Sequence, residues 1–199
     1  TFIRKETDGL TILPTHRVVH GLAGFDWPKL ASQARKFFDW ENIEARGPVS
    51  NWGGRLRGEL AQAGRERPTL GVYAGQDRLA LLRLRKDSDL ARALPDVADG
   101  LQRLDVVIVH RLLLEEVLGI GRQAVREEKN LRYVRELEEA VGEVESGRAQ
   151  ISFLMNPTPI DAVWANALAG QPLPQKSTDF YPKLLSGLTA YWLDNPAGM

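Results

Sequence analysis

The chain contains no cysteine among its 199 residues. This absence excludes disulfide bonds, thiolate metal sites and cysteine nucleophiles. Long apolar runs are also missing: the longest candidate, Val106 to Leu118, is interrupted by charged residues and falls short of the roughly 18 residues of a membrane span. The start of the sequence shows no signal-peptide pattern. These absences predict a cytoplasmic protein that does not enter the membrane.

An excess of positive charge is absent as well. The sequence carries 26 basic and 26 acidic residues, so its formal net charge is zero. Proteins that bind nucleic acids generally present a basic surface, and no helix-turn-helix pattern occurs, so nucleic acid is not an expected partner. With 3 histidines and no H-x-x-x-H spacing, the sequence also predicts no metal site.

The first two thirds of the chain predict a mixture of strands and helices. Short strands are expected at residues 1–5 and 9–13, around the Asp8-Gly9 turn signal. Asp26 is a helix N-cap candidate, with a helix expected through about Trp40. A second helix is expected from Ser50 to about Ala63. The stretch "TLGVYAGQDRLALLRLR" has two apolar runs around a Gly75-Gln76-Asp77 turn and predicts a β-hairpin.

The remaining elements follow from apolar spacing and capping signals. Residues 105–118 predict a buried helix, with a strand as the alternative because "DVVIV" is rich in β-branched residues. A helix ending near Gly147 and a strand in "AQISFLMN" come next. "TPID" has the pattern of a capping box that starts a helix with one apolar face. "GLTAYWL" indicates a closing strand.

This alternation of a hairpin with scattered helices predicts an α+β fold with a mixed or antiparallel sheet. We expect one domain over residues 1–199, with an internal boundary near residues 95–100 as the alternative. The sequence opens without Met and already in a strand-like pattern. This start predicts that the chain is the C-terminal fragment of a longer protein.

One polar stretch, "LPQKSTDFYPKLLSGL", predicts an anion site. Two lysines and three hydroxyl groups fall within eight residues, although the chain has only 7 lysines against 19 arginines. The candidate ligands are Lys176, Ser177, Thr178, Tyr181 and Lys183. A P-loop is excluded because Pro172 and Pro174 lack the backbone N–H groups that wrap a phosphate, and Gln175 replaces the required glycine. The structural alternative is a surface loop that leads into a strand.

A second candidate lies in "LPTHRVVH". His16 and Arg17 follow a predicted strand, where an imidazole can transfer protons and a guanidinium can hold a phosphate or carboxylate. The alternative is a histidine that only satisfies a local backbone group. His110, within the expected buried helix, is interpreted as a core or groove-lining residue.

Two of these stretches together resemble a known family. "DGLTILPTHRVV" and "PQKSTDFYPKLLSGL" are similar to two hallmark segments of the prokaryotic family called domain of unknown function 1015. "LDVVIVHRLLLEEVLGI", "NLRYVRELEEAV" and "GRAQISFLMNPT" are also similar to its pattern, so the resemblance covers nearly the whole chain, in order. Asp179 departs from the pattern, since members usually have an aromatic residue there. A carboxylate beside Lys176 is expected to weaken anion binding.

The resemblance implies a function that composition and spacing do not show. Family members are about twice as long, and their N-terminal half carries a D-G-H-H-R stretch that resembles the nucleotide-binding fold of the ParB and sulfiredoxin group, which includes kinases of free serine. It therefore implies a phosphate- or nucleotide-handling enzyme of small-molecule metabolism, related to serine. ATP or ADP would enter through the N-terminal half, and the ligand would be a small phosphorylated metabolite.

Two hypotheses remain open from the sequence. In the first, His16 and Arg17 approach the lysine-rich stretch and help to bind a phosphate. In the second, the chain is not an enzyme, and both stretches pack against the N-terminal half of the protein or against another subunit of a homo-oligomer. A concave pocket with converging cationic and hydroxyl groups would favour the first hypothesis.

Overall fold

The structure is a computed structural model that describes residues 9–76 and 78–183. It is an α+β fold, as the sequence predicts. The expected strands at residues 1–5 and in "GLTAYWL" lie outside the described residues. Within the described ranges, none of the helices combines the length and the apolar character that crossing a membrane requires.

The strands form two sheets. A six-stranded sheet has the order β3-β5-β4-β7-β2-β6, and every neighbouring pair is antiparallel. A separate ribbon pairs β1 with β8 in antiparallel fashion. The strands are β1 Thr11–Leu13, β2 His16–Val19, β3 Phe38–Ile43, β4 Thr69–Tyr73, β5 Leu79–Leu84, β6 Leu131–Val134, β7 Ile151–Leu154 and β8 Asp179–Tyr181.

Helices cover both faces of the larger sheet. They are α1 Trp27–Ala34, α2 Gly53–Gly64, α3 Leu90–Ala93, α4 Asp99–Gln102, α5 Asp105–Ile108, α6 Arg122–Arg126, α7 Leu137–Glu145 and α8 Ile160–Leu168, with a short 3₁₀ turn at Val49–Asn51. α5 continues directly into a π-helix, Val109–Val117. The expected helix over residues 105–118 is thereby confirmed, although most of it has π geometry, which is rare and frequent at functional sites.

Two apolar cores lie on opposite faces of the sheet. One core contains Val18 of β2 and packs under α2 and α7. The other contains Val19, the next residue, and packs against α1 and the helix formed by α5 and the π-helix. Successive side chains of a strand point to opposite faces, so β2 contributes to both cores. Burial of these apolar side chains is the main stabilising contribution to the fold.

The predicted hairpin is confirmed as β4 and β5, with Gly75 in the left-handed region at φ 74°. The helix expected to run through Trp40 is wrong in its second half. α1 begins after its Asp26 N-cap but ends at Ala34, and Phe38–Ile43 is a strand paired with β5. A long register of backbone hydrogen bonds to β5 stabilises the extended form here, and local helix propensity does not outweigh it.

The predicted capping box is also wrong. Pro159 occupies the N-cap position of α8, and no side chain caps the helix. The Thr158 hydroxyl instead donates to the backbone carbonyl of Ser177, at 2.6 Å. The apolar face of α8 is largely uncovered: Trp164 is 52% exposed and Leu168 is 75% exposed.

Candidate functional site

The two segments singled out in the sequence lie in contact. The β1–β8 ribbon pairs Leu13 with Asp179 and Thr11 with Tyr181. Beyond the ribbon, Nη2 of Arg17 donates to the backbone carbonyl of Lys176 at 3.1 Å, across 159 positions of sequence. The ribbon and this hydrogen bond therefore hold the two segments against each other.

The structure separates His16 from Arg17. Both are almost fully buried, at 3% and 2% exposure. They are consecutive residues of β2, so their side chains point to opposite faces of the sheet. Arg17 points to the face that carries the π-helix, and His16 points to the face that carries α2 and α7. Only Arg17 is brought to Lys176.

The hydrogen bonds of His16 fix where its proton lies. Its Nδ1 accepts a hydrogen bond from the backbone N–H of Met155 at 3.0 Å, so Nε2 carries the proton of the neutral ring. The pKa of His16 is lowered to about 4, chiefly by burial and further by the charges of Arg17 and Arg57, against a smaller opposing effect of Glu138. His16 is therefore neutral at pH 7. Among the described residues, Nε2–H has no hydrogen-bond partner.

His16 lines a cavity of about 350 Å³, the His16 cavity, whose wall includes Leu13, Arg57, Leu60, Arg135, Glu136, Glu138 and Asn156. Two of these side chains are guanidinium groups. Arg57 is bonded to Glu138 at 2.8 Å, and Arg135 is bonded to Asp179. Each guanidinium has five N–H donors, so both retain donors for a ligand. Residues at the N-terminal end of α7 complete the wall, and a helix N-terminus favours negative charge.

On the opposite face of the sheet, the Arg17 guanidinium donates three hydrogen bonds, an arrangement we call the Arg17 clamp. Its Nη1 donates to the Thr15 carbonyl, its Nη2 to the Lys176 carbonyl at 3.1 Å, and its Nε to Nε2 of His110 at 3.4 Å. The guanidinium also lies 5.4 Å from the centre of the Tyr133 ring. No carboxylate among the described residues pairs with it. Burial lowers the pKa of Arg17 to about 10, so it keeps its charge at neutral pH.

The lysine-rich stretch divides into buried and exposed parts. Lys176 is exposed in the left-handed conformation, at φ 57°, with its ammonium 5.9 Å from the Tyr133 ring centre. Ser177 is buried, and its hydroxyl donates to the Pro174 carbonyl at 2.5 Å. Thr178 is half-buried. The Ser177 hydroxyl therefore stabilises the loop, and its proton is not free for a ligand.

The end of the stretch faces solvent. Tyr181 is 55% exposed, and the ammonium of Lys183 bonds to the Asp179 carboxylate. Partial burial would raise the pKa of Asp179, but hydrogen bonds from Lys183 and Arg135 outweigh it, and the pKa is lowered. Asp179 thus neutralises Lys183 and Arg135 and makes no ion pair with Lys176. The seven predicted site residues do not converge on one point, and anion binding by them stays a prediction.

Two arginines of the His16 cavity were missed by the sequence analysis. Arg57 lies on α2, a helix rich in glycine, and Arg135 lies between β6 and α7 in a charge-rich stretch. A position directly after a strand and before a helix is the one local signal that pointed to Arg135. Over residues 9–76 and 78–183, no cluster of three or more His, Asp or Glu side chains could hold a metal ion.

The fold and the cavity define an α+β domain with a pocket of mixed polar and apolar lining beside an antiparallel sheet. Residues 1–107 match the family described as "Protein of unknown function (DUF1015)". This match covers more than half of the chain, and the chain belongs to that family. Among curated proteins, none matches the chain.

Two solved structures resemble the fold. One is a free serine kinase in complex with AMP, 13% identical, with a TM-score of 0.49 over 89% of this chain and 56% of that one. The other is a conserved hypothetical protein from Pyrococcus furiosus, 12% identical, with a TM-score of 0.49 over 89% of this chain and 59% of that one. The chain thus spans less than two thirds of the length of either structure. At these values neither likeness carries an argument about the ligand.

Proposed function

We propose that this chain is a domain of a phosphate- or nucleotide-handling enzyme of small-molecule metabolism in the cytoplasm, and that the His16 cavity binds the anionic group of its metabolite. The observation that carries this proposal is the imidazole of His16, a buried residue that lines the cavity and whose Nε2–H has no hydrogen-bond partner among the described residues. A donor of this kind gains a hydrogen bond when an anion enters.

The electrostatics of the cavity support an anion. Arg17 and Arg57 both lower the pKa of His16, and Glu138 opposes them less, so the potential at the imidazole is positive. Arg17 contributes from the other face of the sheet, since its buried charge has no carboxylate partner in the described part of the chain. A fixed positive potential in a partly enclosed site is the main protein contribution to phosphate handling.

One acidic residue of the cavity narrows the ligand class. Glu136 lies in the wall, and no ion pair or hydrogen bond engages its carboxylate within the described ranges. A ligand with a phosphate or carboxylate at the His16 end and an ammonium at the Glu136 end would satisfy both. A phosphorylated amino acid such as phosphoserine has this charge pattern. ATP or ADP would bind through the N-terminal half that the family resemblance implies.

The test is a thermal-shift and calorimetric screen of the full-length protein. The probes are inorganic phosphate, pyrophosphate, serine, phosphoserine, ADP and ATP. A ligand that binds only the folded state raises Tm as its concentration rises above Kd. His16→Asn places an amide oxygen near the position of Nδ1, so it can still accept from Met155, but it lacks Nε2–H. Arg57→Gln removes one guanidinium from the wall.

The matched controls are His20→Asn and Arg55→Gln, which change the same residue types outside the cavity wall. We expect a shift with a phosphorylated probe that both cavity variants reduce by roughly tenfold in Kd and both controls preserve. A shift of undiminished size in His16→Asn and Arg57→Gln would overturn the assignment to this cavity. A protein that melts cooperatively and shifts with no probe would refute the proposal.

A second candidate function is supported by the exposed apolar face of α8. Trp164 and Leu168, four residues apart on this helix, are 52% and 75% exposed. Clustered exposed apolar residues often mark interfaces. We propose the N-terminal half of the protein as the partner of this face, with a second copy of the chain as the alternative.

This candidate is tested by Leu168→Glu in the full-length protein, with Ala165→Glu on the same helix as the control. If the face packs against the N-terminal half, Leu168→Glu lowers Tm and exposes α8 to hydrogen exchange. If it joins two copies, light scattering shows a loss of association instead. If Leu168→Glu changes neither Tm nor mass, the face is simply solvated and the candidate fails.

A further inference from the structure

A second and larger cavity lies on the face of the sheet opposite His16. Its volume is about 620 Å³, and it is enclosed by the π-helix, by α6 and by the loop at residues 170–175. Ligand pockets of soluble proteins commonly fall between about 300 and 1,000 Å³. We call it the His110 cavity, because His110 lies where the π-helix meets it.

The floor of the His110 cavity is apolar. Its apolar lining residues are Val97, Leu101, Val107, Val125 and Leu173. These side chains belong to the main apolar core or pack against it. A surface of this composition favours a ligand with an apolar body.

His110 presents a single donor to the cavity. It is 8% exposed, and its Nε2 accepts the hydrogen bond from Nε of Arg17 at 3.4 Å, so the proton of the neutral ring lies on Nδ1. Nδ1–H has no hydrogen-bond partner in the described part of the chain. The hydrogen bond from Arg17 thus fixes the orientation of the imidazole ring. Nδ1–H, which nothing in the described part of the chain engages, can donate to an acceptor on a ligand.

Of the arginines that line the cavity, Arg126 has no carboxylate partner among the described residues. Arg111 bonds to Asp96 at 2.7 Å, and Arg122 bonds to Asp96 at 2.6 Å and to Glu115 at 3.2 Å. These two arginines and two carboxylates neutralise one another. Arg126 also lines the cavity, and no carboxylate among the described residues engages it. A ligand with one acidic group would supply the missing partner.

The loop that closes the cavity is held by the lysine-rich stretch. Pro174 and Gln175 line the cavity, and the Pro174 carbonyl accepts from the Ser177 hydroxyl at 2.5 Å. The Lys176 carbonyl accepts from Arg17 at 3.1 Å. Arg17 and Ser177 are therefore positioning residues: they hold the wall in place, and Arg17 also orients His110.

We propose that the His110 cavity binds a small molecule with a flat or aliphatic apolar body and a single acidic group, held by His110 Nδ1–H and Arg126. This site is separate from the His16 cavity and does not depend on the function proposed above. The apolar body would cover Val97, Leu101 and Val125, and the acid would face Arg126.

Two probes of matched shape test the proposal on the full-length protein. 8-Anilinonaphthalene-1-sulfonate has a flat apolar body and one sulfonate, and N-phenyl-1-naphthylamine has the same body without the acid. Fluorescence titration gives Kd for each. We expect Arg126→Gln to weaken binding of the sulfonate by about tenfold and to leave the neutral probe unchanged. Arg92→Gln, an exposed arginine outside the cavity, is the control.

Two further variants test whether the probes bind at another site. His110→Gln can keep an acceptor for Arg17 while it removes the Nδ1–H donor, and it should also weaken the sulfonate selectively. Trp164→Ser changes the exposed face of α8 and should leave both titrations unchanged. The proposal is overturned if neither probe binds, if Arg126→Gln affects both probes equally or neither, or if Trp164→Ser abolishes the signal.

Discussion

The Nε of Arg17 donates a hydrogen bond to Nε2 of His110 at 3.4 Å, although 93 positions separate the two residues in sequence. This contact links β2 to the π-helix and fixes the His110 proton on Nδ1. His16, next to Arg17, has the opposite arrangement, since its Nδ1 accepts from Met155. One buried cation thus lies beside two neutral histidines that face different cavities.

The first prediction concerns the protonation of these rings. We expect His16 to carry its proton on Nε2 and His110 on Nδ1, with both neutral at pH 6, because burial lowers their pKa values to about 4 and about 3. Long-range ¹H–¹⁵N correlation spectra distinguish the two tautomers directly. His20 is the internal reference. Identical tautomers for His16 and His110, or an imidazolium at pH 6 in either, would contradict the hydrogen bonds described above.

The second prediction concerns the Arg17 clamp. Arg17→Lys keeps the charge, but one ammonium cannot reach Thr15, Lys176 and His110 together as the planar guanidinium does. We expect the free energy of unfolding to fall by about 3 kcal/mol, since buried acceptors lose their donors. Urea denaturation measures the change, and hydrogen exchange should report a loosened loop around Lys176.

Arg92→Lys provides the comparison for this clamp, because Arg92 is exposed and its substitution should leave stability within about 0.5 kcal/mol. A buried ion can also be replaced by an apolar residue without loss of stability. Arg17→Met therefore tests whether the loop needs the guanidinium hydrogen bonds when no buried charge is left behind. If Arg17→Met is fully stable and the loop stays protected from exchange, the guanidinium does not hold the loop.

The third prediction uses Asp105, the first residue of α5. Burial raises its pKa to about 7, although hydrogen bonds from Asn156 and from the backbone of Thr69 act in the opposite direction. The folded state thus retains a proton that the unfolded chain loses near pH 4. The stability from this group is fully present below the unfolded pKa and is lost as pH rises through about 7.

Asp105→Asn removes this dependence. Relative to the unmodified protein, the variant should gain stability between pH 4 and pH 8, by at most about 4 kcal/mol because the carboxyl is only partly buried. Urea denaturation of both proteins at four pH values in this range measures the difference. Glu139→Gln, at an exposed position of α7, should show no comparable trend. A difference that does not change with pH would mean that Asp105 is ionised throughout.

The buried histidines oppose this trend. Their folded pKa values lie below that of an unfolded histidine, so the stability they contribute is full above about pH 6.5 and is lost as pH falls through about 4 for His16. The total pH dependence of the protein is therefore the sum of opposed contributions. The pH profile of the unmodified protein alone therefore does not reveal the contribution of Asp105. The comparison with Asp105→Asn does.

The elements that the sequence predicted are those set by local pattern. The β4–β5 hairpin follows from two apolar runs and a turn, and the helix after Asp105 follows from its apolar spacing. β3 was missed because Phe38 and Trp40 are held extended by pairing with β5, some 40 residues later. That pairing is a long-range interaction, which no local window contains.

The candidate site was predicted only in part, because most of its residues come together through long-range contacts. His16 was singled out by residue type and lines the His16 cavity, whereas Lys176, singled out in the same way, lines neither cavity. The alternation of side chains along a strand already separates His16 from Arg17. Arg57 and Arg135 reach the His16 cavity from α2 and from the turn before α7, and only the tertiary packing of those helices shows it. The net charge of zero also gave no sign of the positive potential at His16, since that potential depends on the positions of Arg17 and Arg57, which composition does not contain.

The last prediction compares two glycines of α2. A Cβ at Gly58 would meet no atom within 4 Å, whereas a Cβ at Gly64 would lie 2.6 Å from Nδ2 of Asn156. Gly58→Ala should therefore raise the free energy of unfolding by about 0.5–1 kcal/mol, through helix propensity alone. Gly64→Ala should lower it, because Asn156 must move away from the carbonyls of Leu60 and Thr69, to which it donates at 3.0 and 3.2 Å.

The displacement of Asn156 should also change the pKa of Asp105. Asn156 also hydrogen-bonds to Asp105 and keeps the pKa of that carboxyl lower than burial would. In Gly64→Ala the pKa of Asp105 should rise further, so the loss of stability with increasing pH should extend to higher pH. Gly58→Ala should leave the pKa of Asp105 and the pH dependence of stability unchanged. A Gly64→Ala variant that is as stable as Gly58→Ala, with an unchanged pH profile, would show that Asn156 yields without cost and does not couple α2 to Asp105.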